Sequence, residues 1–210
     1  MHTVVTAANE QAATVRAINF ARGLVGEAAI RLQTKYNDNA ARAALVMAAN
    51  RSLSHDPPPS WRCWSKTGHD AAGRANIALN SAIPSAAGLT RLYLDDMGSE
   101  NVASGHRRWL LRPEATTMGS GNALGSWFGN ALYVFTFADD HAKAPARQLY
   151  AWPSAGWFPS PLEPRGRWSL SSSTGASFAK ASVTVTGPGG ASVPLTRPPV
   201  ATGYADNTLV

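Results

Sequence analysis

Hydrophobic residues recur at helical spacing in the first half of the chain and alternate with polar residues in parts of the second half. Val15, Ile18, Ala21 and Val25 recur three to four residues apart, which predicts a helix over residues 10–25. The same spacing, with flanking cap, glycine and proline residues, predicts three further helices at 38–51, about 85–96 and about 101–111.

Cap and stop signals set the expected limits of these helices. Asn37 is predicted as the N-cap of the second helix, because its side-chain oxygen can accept a hydrogen bond from a free backbone amide. Pro113 stops the fourth helix. The prolines at 57–59 exclude a helix there, so residues 52–64 are predicted to be a loop.

Strand patterns follow the helical part of the chain. Residues 116–121 and 131–137 are predicted strands, and the second, ALYVFTF, is rich in β-branched and aromatic residues. Strands that follow a run of helices indicate an α+β domain, which we place at residues 1–141.

The last third of the chain has a different composition. Residues 142–165 are rich in proline and tryptophan and are predicted to be a linker. Residues 166–210 are predicted to be a β-segment that is shorter than the roughly 100 residues of an immunoglobulin-like sandwich. It is interpreted either as part of such a second domain, truncated in this chain, or as a small complete appendage. Its predicted strands are 168–171, 178–186, which ends in an alternating pattern, and 191–196, with a glycine-rich hairpin turn at 187–190.

Charge and hydropathy exclude two classes of protein. The formal charge is +6, but the arginines that supply most of it are scattered, so no basic stripe for nucleic acid is present. No stretch approaches the roughly 20 apolar residues of a membrane span. Only 15% of the residues are charged, which favours a secreted or wall-associated protein.

His55 and His106 are the candidate functional residues, since each is expected at the edge of a helix. A serine–histidine pair is not expected, because Ser54 and Ser104 lie too near in sequence to face these rings on a helix. The remaining candidates have ordinary interpretations: Cys63 as a half-buried small side chain, and His69 and His141 as solvated loop residues.

An ordered series of motifs resembles the CAP superfamily of cysteine-rich secretory, antigen 5 and pathogenesis-related-1 proteins. The two histidine motifs are Leu53-Ser54-His55 and the segment GHRRWLLRP at 105–113. The series covers about residues 10–140, and its other members are AINFARGLV at 17–25, ANIA at 75–78, MGSG at 118–121 and LYVF at 132–135.

The resemblance implies a three-layer α-β-α sandwich with a cleft lined by two histidines and two acidic residues. His55 and His106 would then be metal ligands, for Zn²⁺ or another divalent ion. One acidic position is matched by Ala75, so that carboxylate is missing. Asp95 is the expected second carboxylate, with Asp96 or Glu100 as alternatives, and Asn76 is expected in the cleft.

The expected function is that of an extracellular or cell-wall-associated protein, with an export signal absent from this chain. Its cleft would bind a divalent metal or a small ligand without catalysis, with an anionic wall polymer, a lipid or a glycan as partner. Of Arg107 and Arg108, one is expected to hold an acidic partner and the other to be exposed. The alternatives are a metal-dependent hydrolase or peptidase that uses His55 and His106, and an adhesion module that uses the β-segment and the tryptophans.

Overall fold

The computed structural model describes residues 3–4, 8–136, 149–201 and 204–210. This part of the chain is mixed α+β, as the sequence predicts. The helices are α1 (Ala8–Leu24), α2 (Thr34–Asn50), α3 (Lys66–Ala72), α4 (Ala86–Asp95) and α5 (Gly105–Leu110). The strands are β1 (Thr3–Val4), β2 (Arg31–Leu32), β3 (Ala75–Asn80), β4 (Thr117–Leu124), β5 (Phe128–Tyr133), β6 (Leu149–Trp152), β7 (Ser169–Ser172), β8 (Val185–Thr186), β9 (Ser192–Val193) and β10 (Asn207–Leu209).

The main sheet has the strand order β1-β4-β5-β3, with antiparallel neighbours, and β2 pairs with β4 in parallel. In the register of β3 and β5, Ala75 lies opposite Tyr133 and Asn80 lies opposite Phe128. A tight connection joins β4 to β5, with Leu124 opposite Phe128. Because side chains alternate along a strand, each strand presents different residues to the two faces of the sheet.

Each face of the sheet contributes to its own hydrophobic cluster. On β5, Phe128 and Leu132 join the cluster that contains residues of α1 and α4, whereas Ala131 and Tyr133 join the cluster that contains residues of α2. Helix α2 approaches its face closely. A Cβ at Gly121 would lie 2.0 Å from a backbone atom of the helix, so only glycine fits at that position.

Two residues of the first helix fasten neighbouring loops. Asn19 exchanges two hydrogen bonds with the backbone of Ile30, at 2.8 and 2.9 Å. Arg22 is completely buried and donates to the carbonyl oxygens of Leu110 and Ala115 at 3.0 and 3.1 Å. These two side chains join α1 to the segments that lead into β2 and β4. Asn19 and Arg22, both in the segment AINFARGLV at 17–25, therefore stabilise the fold.

All four predicted helices form, but one predicted cap is wrong. Helix α2 begins at Thr34, so Asn37 lies inside it, and the Asn37 side chain accepts a hydrogen bond from the backbone amide of Ser120 at 2.9 Å. Helix α3 and strand β3 were not predicted. Strand β3 is buried over most of its length, so it lacks the alternation by which a half-buried strand is recognised.

The segment predicted as a linker contains strand β6. It belongs to a second sheet with the order β10-β7-β6, and Tyr150 and Trp152 of β6 are buried in the cluster that contains α1 and α4. The cluster therefore extends from the N-terminal helices into the C-terminal part of the chain. These contacts join segments far apart in sequence, which local composition does not reveal.

The predicted strand at 178–186 forms only at Val185–Thr186, and the one at 191–196 forms only at Ser192–Val193. Within the described residues, β8 and β9 pair only with each other, across the predicted turn. Val183 and Val193 remain 42% and 41% exposed. In the part of the chain that the structure describes, no further strand pairs with this hairpin, and a two-stranded hairpin alone is only marginally stable.

Candidate functional site

His55 follows the end of α2 and is held by α3. Its Nδ1 lies 2.7 Å from the carbonyl oxygen of Ala72, the last residue of α3. A carbonyl oxygen can only accept a hydrogen bond, so Nδ1 is the donor. In the neutral ring, the lone pair therefore lies on Nε2.

His106 lies in the first turn of α5 and is held by a carboxylate. Its Nδ1 lies 2.6 Å from Oδ1 of Asp96, and its backbone amide donates to Oδ2 of Asp96 at 2.9 Å. The Asp96 side chain is fully buried. Asp96 ends α4 in the left-handed conformation, so one residue closes α4 and fixes both the backbone and the ring of His106.

Buried polar groups connect His106 to the sheet. The side-chain amide of Asn76 donates to the carbonyl oxygen of His106 at 3.0 Å. The Tyr93 hydroxyl donates to Asn130 Oδ1 at 2.6 Å, and its ring centroid lies 5.5 Å from that of His106. Burial raises the pKa of Tyr93 well above its ordinary value, so the phenol stays a donor. The network fixes His106 relative to β3 and β5.

Both histidines line one cavity of about 370 Å³. A groove of about 860 Å³ also reaches both histidines and runs along β3 and α4. Glu100 and Asn101 line both spaces. The remaining lining of the smaller cavity is mixed aromatic, small and polar, and includes Asn76, Trp109, Phe135 and Tyr204.

The three candidate carboxylates have different surroundings. Asp95 pairs with Arg91 at 3.2 Å, and among the described residues it makes no hydrogen bond to either histidine. Asp96 makes that contact to His106 instead. Glu100 is exposed and lines the cavity. Asp96, rather than Asp95, contacts His106 because α4 ends at Asp95 and the chain turns at Asp96.

The donor set falls short of a tight metal centre. No group of three or more His, Cys, Asp and Glu side chains that could share an ion occurs in the described part of the chain. Zinc sites in proteins use three or four protein ligands, and Ala75 stands at one of the positions where a carboxylate is expected. Among the described residues, the two imidazoles are therefore not grouped with a third side chain of these types.

The expectations for Arg107 and Arg108 are wrong, since both are buried. Arg107 donates to the carbonyl oxygens of Leu94 and Arg167 at 2.5 and 2.8 Å, and to Ser169 Oγ at 2.9 Å. Burial lowers the pKa of Arg107 to about 10. Backbone carbonyls and, for Arg107, the Ser169 hydroxyl accept the hydrogen bonds of the two guanidinium groups, rather than the carboxylate of an acidic partner.

Cys63 and His69 lie in surroundings that differ from those predicted. Cys63 is exposed rather than half-buried. His69 lies in α3 rather than in a loop, and hydrogen bonds to Asp70 and Asp56 raise its pKa. His141 lies outside the described residues.

Tyr204 is the cavity residue that sequence reasoning missed. It lies almost 100 positions after His106 and belongs to no motif, so no local signal could have found it. The tryptophans have mixed positions, with Trp152 buried and Trp157 fully exposed.

No family model matches this chain, and no curated protein matches it either. Among the described helices, none is both long and apolar enough to cross a membrane.

Proposed function

We propose that this chain is a CAP-like, non-enzymatic binding protein of the cell exterior or wall, whose cleft between His55 and His106 binds a small ligand. In this proposal the main domain is a three-layer α-β-α sandwich. Hydrophobic clusters with α2 on one face of the sheet and with α1 and α4 on the other support that architecture.

The observation that carries the proposal is the shared cavity of two histidines whose Nδ1 atoms are both engaged. Ala72 and Asp96 hold these nitrogens, so Nε2 is the remaining acceptor in the neutral form of each ring. Convergent polar groups in a concave site of this size are typical of small-molecule binding.

The lining favours a ligand with an apolar face and several hydroxyl groups, as in a sugar ring. Trp109 and Phe135 pack edge to face with ring centroids 4.2 Å apart, and both line the cavity. Asn101 and Glu100 add amide and carboxylate groups beside them. Aromatic surface next to fixed hydrogen-bonding groups can bind both sides of such a ring. We therefore infer a glycan fragment as the ligand, in preference to a lipid or an anionic polymer.

The test is a titration of the ¹⁵N-labelled full chain with soluble wall glycan fragments, followed by NMR. Shifts confined to Trp109, Asn76 and residues near His106 are expected, with loss of binding in the variant His55→Ala/His106→Ala. Arg197→Ala, in the exposed C-terminal part, is the matched control and should bind like the wild type. Equal binding by wild type and the double variant would contradict the proposal, as would shifts only with lipid micelles or polyanions.

A zinc titration by calorimetry tests the metal expectation separately. With two imidazoles as ligands we expect weak binding that the double variant His55→Ala/His106→Ala abolishes. Tight zinc binding to the wild type would contradict the ligand count, and equal binding by both proteins would exclude the histidines as ligands.

A second candidate is a hydrolase, and the contact between Asp96 and His106 favours it. A buried carboxylate on Nδ1 fixes the tautomer in which Nε2 can take a proton, the arrangement of a general base. His106 would then take a proton on Nε2 from a water molecule as that water attacks the carbonyl or anomeric carbon. The imidazolium would return this proton to the departing oxygen or nitrogen as its bond to that carbon breaks. Release of product from wall glycans or peptides by the wild type, and not by His106→Ala, would establish hydrolysis. No turnover by either protein would leave the binding function.

A further inference from the structure

The C-terminal segment lies against the His106 end of the cleft. Tyr204 lines the same cavity as the two histidines. Its ring packs on Gly105, the residue before His106, so closely that an added Cβ would lie 2.5 Å from a ring carbon. A segment distant in sequence therefore supplies part of the cavity wall.

Arg108 fastens this segment on both sides of the tyrosine. Its Nε and Nη2 donate to the carbonyl oxygen of Asp206 at 3.1 and 2.6 Å, and its Nη1 donates to that of Ala201 at 3.2 Å. The guanidinium carbon lies 5.1 Å from the centroid of the Tyr204 ring, within cation–π range. One buried cation thus holds the backbone on either side of the ring and the ring itself.

The chain after Tyr204 is anchored in the second sheet. Strand β10 pairs with β7, and the hydroxyl groups of Thr208 and Ser171 lie 2.8 Å apart. The Tyr150 hydroxyl donates to Asp206 Oδ2 at 2.9 Å. Tyr204 is 42% exposed and precedes β10, so a turn of its ring toward solvent would break none of the hydrogen bonds between β10 and β7.

We propose that residues 204–209 form a strap that closes the His106 end of the cleft with the Tyr204 ring. Ligand enters when the ring turns away, and Arg108 is the positioning residue that returns it. The strap regulates the binding site proposed above and so rests on that function, but its geometry can be tested without any ligand.

The experiment measures how fast diethyl pyrocarbonate modifies His106 in the full chain, with mass spectrometry of the peptides. His69 lies outside the cavity lining and serves as the internal reference. Tyr204→Ala should raise the rate at His106 severalfold relative to His69, whereas Tyr204→Phe, which keeps the ring, should leave it unchanged. Equal rates in the wild type and Tyr204→Ala would overturn the strap.

A substitution at Gly105 should displace the Tyr204 ring by steric contact. Gly105→Ala puts a methyl group where the Tyr204 ring lies, so it should raise the rate at His106 as Tyr204→Ala does. Gly23→Ala is the matched helical control, because a Cβ there would meet nothing within 4 Å. The double variant Gly105→Ala/Tyr204→Ala should react no faster than Tyr204→Ala. A further increase would show that Gly105→Ala acts by distorting α5, and would contradict the strap.

The modification rates test the strap and the glycan titration tests the proposed function, so either one can be contradicted without the other. An unprotected His106 with intact glycan binding would overturn the strap alone. A protected His106 without any ligand binding would leave the strap and overturn the proposed function.

Discussion

The two walls of the cleft hold their histidines in different ways. On one wall, the His55 ring bonds to a backbone carbonyl at the end of a seven-residue helix, its one hydrogen bond within the described part of the chain. On the other wall, His106 is held through its ring, its amide and its carbonyl oxygen by Asp96 and Asn76. Buried charges are concentrated on the second wall. His106 is therefore fixed by several contacts, one of which reaches strand β3, whereas His55 is held by a single contact to the end of α3.

The largest expected effect is on the His106 wall, from Arg107→Met. The substitution leaves the carbonyl oxygens of Leu94 and Arg167 and the hydroxyl of Ser169 without their buried donor. We expect a loss of about 3 kcal/mol or more in the free energy of unfolding, measured with urea.

The matched control on the His55 wall is Arg62→Met. Arg62 donates to the Ala49 carbonyl oxygen at 2.6 Å but is largely exposed, so the expected loss is below about 1 kcal/mol. Equal losses in the two variants would show that the walls do not differ in this way.

The second-largest loss of stability is expected at Asp96, whose carboxylate holds the His106 ring, whereas a backbone carbonyl holds the His55 ring. Asp96→Ala removes the acceptor for His106 Nδ1 and for the His106 amide, and should cost about 2 kcal/mol of stability. In ring ¹⁵N NMR spectra, His106 should lose its single tautomer while His55 keeps its own. Asp96→Asn, which retains one oxygen acceptor, should fall between the wild type and Asp96→Ala. Unchanged His106 ring signals in Asp96→Ala would contradict the assigned contact.

A pH dependence is expected from the strap beside His106. Burial raises the pKa of Asp206 from 3.8 to about 6, with Glu114 acting in the same direction and Tyr150, Arg112 and Arg108 opposing it. A carboxyl with a raised folded-state pKa contributes stability below its unfolded pKa and loses that contribution as pH rises through the folded value. The contribution of Asp206 to the free energy of unfolding should therefore fall as the pH rises from about 4 to about 6.

Two variants test whether the pH dependence of stability between about pH 4 and pH 6 comes from Asp206, on the wall that holds His106. Asp206→Asn should flatten the stability profile below about pH 6. On the other wall, hydrogen bonds to Asp70 and Asp56 raise the pKa of His69, so its contribution is lost as pH rises above the ordinary range of histidine. His69→Gln should therefore lower the free energy of unfolding below this window and remove the pH dependence within it, while the change between about pH 4 and pH 6 stays. The same profile in wild type and Asp206→Asn would contradict the assignment.

The smallest expected effect is from His55→Gln. It removes one hydrogen bond, to the Ala72 carbonyl oxygen, and should cost about 1 kcal/mol or less in thermal or urea unfolding. His106→Gln should cost more, because it also breaks the contact of a buried carboxylate. A larger loss for His55→Gln would reverse the comparison.

The sequence predicted α1, α2, α4 and α5, because apolar spacing and stop residues are local signals, but it missed the seven-residue α3. It also singled out both histidines, which line one cavity. It missed β3, whose continuous burial hides the strand period, and β6, whose Trp152 is buried in a cluster built from distant helices. It left Asp95, Asp96 and Glu100 open, because their roles depend on the single residue at which α4 ends.

Patterns among neighbouring residues were enough to predict the mixed α+β character, four of the helices in their order and the two candidate imidazoles. The packing of distant segments places Asp96 against His106, buries Arg107 and Arg108 and brings Tyr204 to the cavity. These contacts join residues 10 to about 100 positions apart. Their formation depends on how the layers pack, and that packing is the sum of many weak contacts that no short stretch of sequence contains.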